Sequence, residues 1–247
     1  DLPLATARHA TSKISSLEDI YSAGTMGFRG EALASISHIA KVTIKSRRKE
    51  QEHAYQLISE NGELVGPSAI SHPAGTSIII EDIFLNVPVR RQYLKSPSAE
   101  FSKIQAVVTQ YALLNPLIEF VLKHNGQEIV NTTGLIDQKL RILNCFSKDC
   151  KDKLIGIDSS LNGVVVNGWI SDPTLHFGNR SKQLFAVNGR VVNNPILQKI
   201  VRDVYKDLIP HGRFPLCVLN IGLPLELVDV NIHPQKKDIK FINSGFL

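Results

Sequence analysis

The residues best suited to chemistry lie in one stretch, Gly24-Thr25-Met26-Gly27-Phe28-Arg29-Gly30-Glu31-Ala32-Leu33. Gly24, Gly27 and Gly30 recur at equal spacing, and the last opens an apolar run, Ala32, Leu33, Ile36 and Ile39, with helical periodicity. A glycine-rich loop entering a helix is a natural anion site. Its backbone N–H groups are free, the helix dipole is positive there, and glycine lets a phosphate approach the backbone closely. The spacing alone also describes an ordinary flexible loop, and a dinucleotide fold does not suit it because no strand leads into the loop. Elsewhere the residues give a polar cluster at His9, Thr11, Ser12 and Lys13, a strand entered through Gly75, and a turn at Asn188-Gly189-Arg190. Arg47, Arg48, Lys49, Arg90 and Arg91 form basic clusters that read first as solvated faces, or else as contacts to a nucleic-acid backbone. His9 has no partner at metal-ligand spacing.

Stepping outward, Leu2, Leu4, Ala7, Ala10 and Ile14 give the first segment near-helical spacing, and Ser15-Ser16-Leu17-Glu18 has the form of a capping box. A helix is expected over Glu31 to Ile39 and a strand over Lys41 to Lys45. Asn61-Gly62 predicts a hairpin joining His53–Ser59 to Glu63–Val65, and Thr76 to Ile83 is a third strand. Pro88 suits a first helical turn. Ala99 to Leu114 predicts a long helix burying Phe101, Ile104, Val107, Val108 and Tyr111, stopped at Asn115-Pro116. A second hairpin turns at Asn125-Gly126. Beyond Thr132-Thr133-Gly134 come a helix over Asp137 to Phe146, strands near 154–157 and 164–170, and loop composition from Asp172 to Ser181. A strand over Gln183 to Val187, a helix from Ile196 to Leu208 behind Asn194-Pro195, and strands at 216–221, 227–232 and 238–242 complete the chain. Helices mixed with antiparallel hairpins make the class α+β, divided into residues 1–133 and 134–247.

The 247 residues are 43% hydrophobic and 21% charged, enough to bury a core. A net charge of +5 permits nucleic-acid binding without requiring it. Cys145, Cys150 and Cys217 show no paired spacing, which favours reduced thiols over a disulfide frame or zinc site. No apolar run is long enough to span a bilayer. The opening at Asp1 and the close at Leu247 read as cuts within a longer protein.

Five segments occur in order: ARHATSKI (7–14), GFRGEALASI (27–36), AGTSIIIEDIFLNVPVRR (74–91), FAVNGRVV (185–192) and VDVNIHPQKKDIKF (228–241). Together they resemble the N-terminal half of MutL-type DNA mismatch-repair proteins, which are GHKL ATPases, and the resemblance covers nearly the whole chain. It implies a GHKL ATPase α/β sandwich followed by a second domain like that of a ribosomal protein. It implies ATP and Mg²⁺ as cofactors. Gly27, Phe28, Arg29, Gly30 and Leu33 resemble the lid that wraps the triphosphate, and Thr11, Ser12 and Lys13 its beginning. Thr76 matches the threonine reaching toward adenine. Lys236 looks like the lysine that the second domain extends to the γ-phosphate, and Arg190 is the implied DNA contact. The implied partners are mismatch-containing DNA, a MutS-type recognition protein, and a second copy or a paralogue in a dimer. The implied location is the bacterial cytoplasm or a eukaryotic nucleus, not a membrane.

One departure outweighs the modest irregularity around Asp82-Ile83-Phe84. No Glu-x-x-x-Asn and no Asp-x-Gly-x-Gly occurs in the 247 residues. In the resembled family the first supplies the general base and the Mg²⁺ ligand, and the second reads adenine. The expectation is therefore an ATP-dependent dimerising switch whose present residues do not turn over ATP. The alternative is a non-enzymatic DNA- and partner-binding module with a vestigial nucleotide site. A gyrase-type subunit fits the first and last segments less well.

Overall fold

A computed structural model describes residues 2–11, 30–224, 228–229 and 240–241. Two compact units emerge, Asp1–Ser96 and Pro97–Leu247. The class is α+β throughout.

The first unit is built on a four-stranded antiparallel sheet. Its strands are β1 (Lys41–Arg47), β2 (Ala54–Glu60), β3 (Glu63–Ile70) and β4 (Gly75–Glu81), in the order β3-β2-β1-β4. Helix α1 (Leu2–Ala5) is much shorter than the spacing of its apolar residues suggests, and α2 (Ala32–Ser37) follows the glycine stretch. The central strand β1 buries Val42 and Ile44, and Leu57 of β2 and Ala34 of α2 are also buried. Helix α3 (Pro88–Gln92) starts with its proline in the first turn, where no N–H is needed.

The second unit begins with α4 (Pro97–Leu114) and the hairpin β5 (Val121–His124)–β6 (Gln127–Asn131). Next come α5 (Gln138–Cys145), β7 (Leu154–Leu161), β8 (Val164–Ser171), β9 (His176–Phe177), β10 (Gln183–Val187), β11 (Arg190–Val192) and α6 (Pro195–Tyr205). The last strands are β12 (Phe214–Pro215), β13 (Cys217–Gly222) and the short pair β14 (Val228–Asp229)–β15 (Lys240–Phe241). Five of them form a sheet in the order β11-β10-β13-β8-β7, with β10 and β13 parallel and the other pairs antiparallel. Strand alternation gives this sheet two apolar faces. Phe185, Val187, Cys217 and Ile221 pack with Leu197, Val201 and Tyr205 of α6 on one face. Leu184 and Val218 pack with Leu113 of α4 and Ile142 of α5 on the other.

Local chemistry explains the connections. Four of the five Asn-Gly pairs turn with positive φ at both residues, from 49° to 51° at asparagine and from 76° to 84° at glycine, as a two-residue hairpin turn demands, whereas Asn167-Gly168 lies within β8. Asn162-Gly163 is one of the four, and it joins two strands that the sequence reading places without linking. Asp137 caps α5 by accepting from Leu140 N at 2.9 Å, and Asn194 caps α6 by accepting from Ile196 N at 2.9 Å.

Two expectations differ from what is observed. Helix α4 does not bury the face assigned to it: Ile104 is 52% and Val107 44% exposed, and its buried residues are Ala112 and Leu113. The burial gathers at the C-terminal end because α5 packs there. Gln138 Nε2 of α5 donates to Leu113 O at 3.0 Å, and Arg141 Nη1 donates to Ala112 O at 2.8 Å and Asn115 O at 3.0 Å. These bonds also join α4 to α5 within the compact unit that begins at Pro97. The Asp172–Ser181 segment, loop-like in composition, holds β9, which pairs with β12 through Phe177↔Phe214 and His176↔Pro215.

Candidate nucleotide-binding site

Of the residues singled out by sequence, Thr11, Gly30, Leu33 and Thr76 lie in the described part of the first unit, and Leu33 and Thr76 share a cavity. Gly30 has φ +62°, and a Cβ built there would stand 2.2 Å from the carbonyl oxygen of Ala10. Only glycine tolerates both the backbone conformation and that approach. Next to this contact His9 Nδ1 lies 3.4 Å from Glu31 Oε1. The chain therefore leaves at residues 9–10 and returns at residues 30–31 to the same place, with Thr11 half-buried beside Ala10. The intervening segment holds Ser12, Lys13, Gly27, Phe28 and Arg29, which lie outside the described residues, as does Lys236.

From Gly30 the chain enters α2, and Leu33 of its first turn lines a cavity of about 560 Å³. Thr76, at the start of β4, lines the same cavity, together with Ile44, Ser46, Tyr55 and Ile78. The β1–β4 register sets Ser46 directly opposite Thr76, and the two hydroxyl oxygens are 2.8 Å apart in a hydrogen bond. The cavity thus has apolar walls with one fixed polar pair, within the size range of small-molecule sites. A purine base fits that chemistry, with apolar walls for its ring and the hydroxyl pair for its polar edge. Arg48 and Gln51, both exposed, also line the cavity. Ser46, Ile44 and Tyr55 escape sequence reading because only strand register brings them to Thr76. Among the described residues no three His, Cys, Asp or Glu side chains converge as a metal cage.

The turn that carries Arg190 is in the second unit. Asn188 fixes it by donating from Nδ2 to Leu223 O at 3.0 Å and accepting from Leu223 N at 2.8 Å. Arg190, the first residue of β11, is half-buried, and burial pulls its guanidinium below the ordinary value. The three cysteines are free thiols, with Cys150 and Cys217 buried. Burial pushes the Cys217 thiol up to about 12, which leaves it protonated and inert.

Residues 142–247 match the family described as DNA mismatch repair protein, C-terminal domain. The DNA mismatch repair protein MutL of Halothermothrix orenii is 39% identical over 98% of this chain and 37% of its own length. That of Coxiella burnetii is 36% identical over 98% of the chain and 42% of its own. The chain therefore spans well under half the length of these curated relatives. Among solved structures, the N-terminal domain of a DNA repair protein aligns with TM-score 0.78 and 27% identity, covering 96% of this chain and 74% of that one. The Aquifex aeolicus MutL ATPase domain complexed with ADP aligns with TM-score 0.65 and 28% identity, covering 86% and 78%. The B-subunit of Myxococcus xanthus DNA gyrase, at 12% identity, TM-score 0.52 and coverage of 94% and 74%, shares the fold alone.

Proposed function

Because the chain belongs to the MutL family of DNA mismatch-repair proteins, we propose that residues 1–133 carry part of a nucleotide site and residues 134–247 the domain that responds to it. The observation that carries this reading is the meeting of Leu33 and Thr76 in one cavity, with Gly30 held against Ala10 in the same unit. Bound ATP with Mg²⁺ would supply the phosphoanhydride, whose hydrolysis to reset the switch would need a general-base motif that does not occur in these 247 residues. Mg²⁺ commonly takes most of its ligands from phosphates and water, so a dedicated acidic cage is not required.

The chain's own residues then divide the work. Thr76, held by Ser46, offers its hydroxyl at the adenine end. Gly27, Phe28, Arg29, Gly30 and Leu33 enclose the triphosphate from one foot of the lid, and Thr11, Ser12 and Lys13 from the other. Lys236 lies in sequence between β14 and β15, and its ammonium neutralises the γ-phosphate. A lysine that binds only when that phosphate is present couples nucleotide state to the second domain. Dimerisation with a second copy or a paralogue, binding of mismatch-containing DNA, and work with a MutS-type protein follow from family membership. The bacterial cytoplasm or a nucleus is the matching location. No helix of the described residues is long and apolar enough to cross a membrane.

Neither the general-base motif nor the adenine-reading motif occurs in these 247 residues. The chain is accordingly expected to release no phosphate from ATP above a Mg²⁺-free control. Mg²⁺-dependent release that survives exhaustive purification would contradict this. The same absence favours a second reading, a non-enzymatic module that binds DNA through the second unit. There Arg190→Glu is expected to weaken DNA binding several-fold and flatten its salt dependence. An unchanged affinity removes Arg190 from the contact.

A further inference from the structure

We propose that a basic cavity in the second unit, separate from the nucleotide site and from Arg190, binds the phosphate group of a phosphorylated ligand. The cavity, about 560 Å³, is lined by Arg180, Gln198, Arg202, Lys206, Arg213 and Phe214 among others. The β9–β12 pair forms one wall and the flank of α6 another, where Gln198, Arg202 and Lys206 recur at helical spacing.

The charges here differ in how they are held. Arg202 and Lys206 lie at the C-terminal end of α6, where the helix dipole already favours them. Arg202 also faces Asp203, with Nε 3.5 Å from Oδ1. These two cations therefore have structural reasons to be present.

Arg180 and Arg213 have no such reason. Arg180 lies over the Phe214 ring, with its guanidinium carbon 4.9 Å from the centroid, and its Nη1 donates to Gln198 Oε1 at 3.0 Å. Arg213 donates from Nε to His176 Nδ1 at 3.0 Å and from Nη2 to His176 O at 3.4 Å. None of these acceptors is a carboxylate. Arg180 is thus stacked on Phe214 and Arg213 is held by His176, with no carboxylate paired to either among the described residues, while Asp203 in the same lining faces Arg202. Fixed forks with unspent charge in a concave site recognise phosphate oxygens, and their immobilisation is already complete before binding.

This cavity is distinct from the turn bearing Arg190. Arg180 precedes β10 and Arg190 follows it, so the two are separated by the strand's length, roughly 17 Å at the usual rise. The proposal goes beyond the nucleotide reading and depends on neither Thr76 nor the glycine loop.

The test uses the intact chain with two probes, pyrophosphate followed by calorimetry and a labelled DNA duplex followed by anisotropy. Arg180→Gln combined with Arg213→Gln removes the charge. Gln198→Glu leaves both arginines in place and gives Arg180 an internal carboxylate. Lys123→Gln, on exposed β5, controls for net charge. Pyrophosphate affinity at this site is expected to fall about tenfold in the double variant and also in Gln198→Glu, with the Lys123 control unchanged. A parallel loss of duplex affinity with a smaller salt slope identifies the ligand as the DNA backbone. Loss for pyrophosphate alone identifies a small phosphorylated compound. The proposal is overturned if the parent binds no pyrophosphate, or if both variants bind it as the parent and the Lys123 control do. Binding retained at the glycine-loop site leaves the nucleotide reading intact in either case.

Discussion

Replacing Arg141 with methionine is expected to lower the stability of the unit spanning Pro97–Leu247 by about 3–5 kcal/mol. Arg141 is fully buried on α5, at 0% exposure. Its guanidinium donates to four backbone carbonyls, those of Leu135, Ala112, Asn115 and Pro116. Ala112, Asn115 and Pro116 lie around the C-terminal end of α4, where helix carbonyls lack internal partners and the dipole is negative. The buried cation is therefore compensated by four oriented dipoles instead of a carboxylate. Burial still pulls its pKa below the usual value, partly opposed by attraction to Cys145 and Glu119. Methionine fills similar space and leaves all four acceptors unsatisfied. In a unit of this size the loss corresponds to a melting temperature lower by about 10 °C. Lysine should recover only part of the loss, because a single ammonium cannot reproduce the planar fork. A denaturant titration placing the methionine variant within about 1 kcal/mol of the parent would show that water replaces the guanidinium there.

The second large effect is expected at Gly30. Alanine at φ +62° costs about 1 kcal/mol or more in backbone strain. Its Cβ would also stand 2.2 Å from Ala10 O, so one of the two backbone segments must move. Overpacking of this kind adds about 1–3 kcal/mol. The larger consequence is geometric, because Ala10 and Gly30 are the two fastened ends of the proposed lid. Gly30→Ala is expected to lower the stability of the first unit by about 2–4 kcal/mol and to abolish its response to nucleotide. Gly126→Ala supplies the comparison. It shares the positive φ but has nothing within 4 Å of the added Cβ. A Gly30→Ala variant that responds to nucleotide as the parent does would separate this contact from the site.

These two residues show what the sequence makes legible. Gly30 stands in a patterned stretch, and its glycine spacing points to an anion site. The Asn-Gly turns and the Asn194 cap are legible too, because each depends on a few adjacent residues. Arg141 is not. On an eight-residue helix with charged and polar neighbours it reads as solvent-facing, and its four partners lie 25 to 29 residues earlier or in the preceding loop. The sequence boundary at Thr133-Gly134 marks a change of composition, whereas compactness follows these bonds across it. For the same reason the apolar spacing along α4 predicts a buried face, yet burial depends on what packs there. Ser46 and Tyr55 enter the candidate site only through sheet register, which no short window contains. Arg180 and Arg213 likewise read as dispersed basic residues until the β9–β12 pairing sets Phe214 under Arg180 and His176 against Arg213.

The central claim is that the cavity lined by Leu33 and Thr76 is a nucleotide site that residues 9–31 help to close. A methyl-labelled NMR titration of the chain with ADP and Mg²⁺, carried to millimolar ligand, tests it most directly. The expected result is saturable shifts at Leu33, Ile44, Ile78 and Thr76, with none at Leu197 or Val201 in the core of the second unit. Shifts confined to the second unit, or no shift at Leu33 and Thr76 at the highest ligand concentration, would contradict the claim.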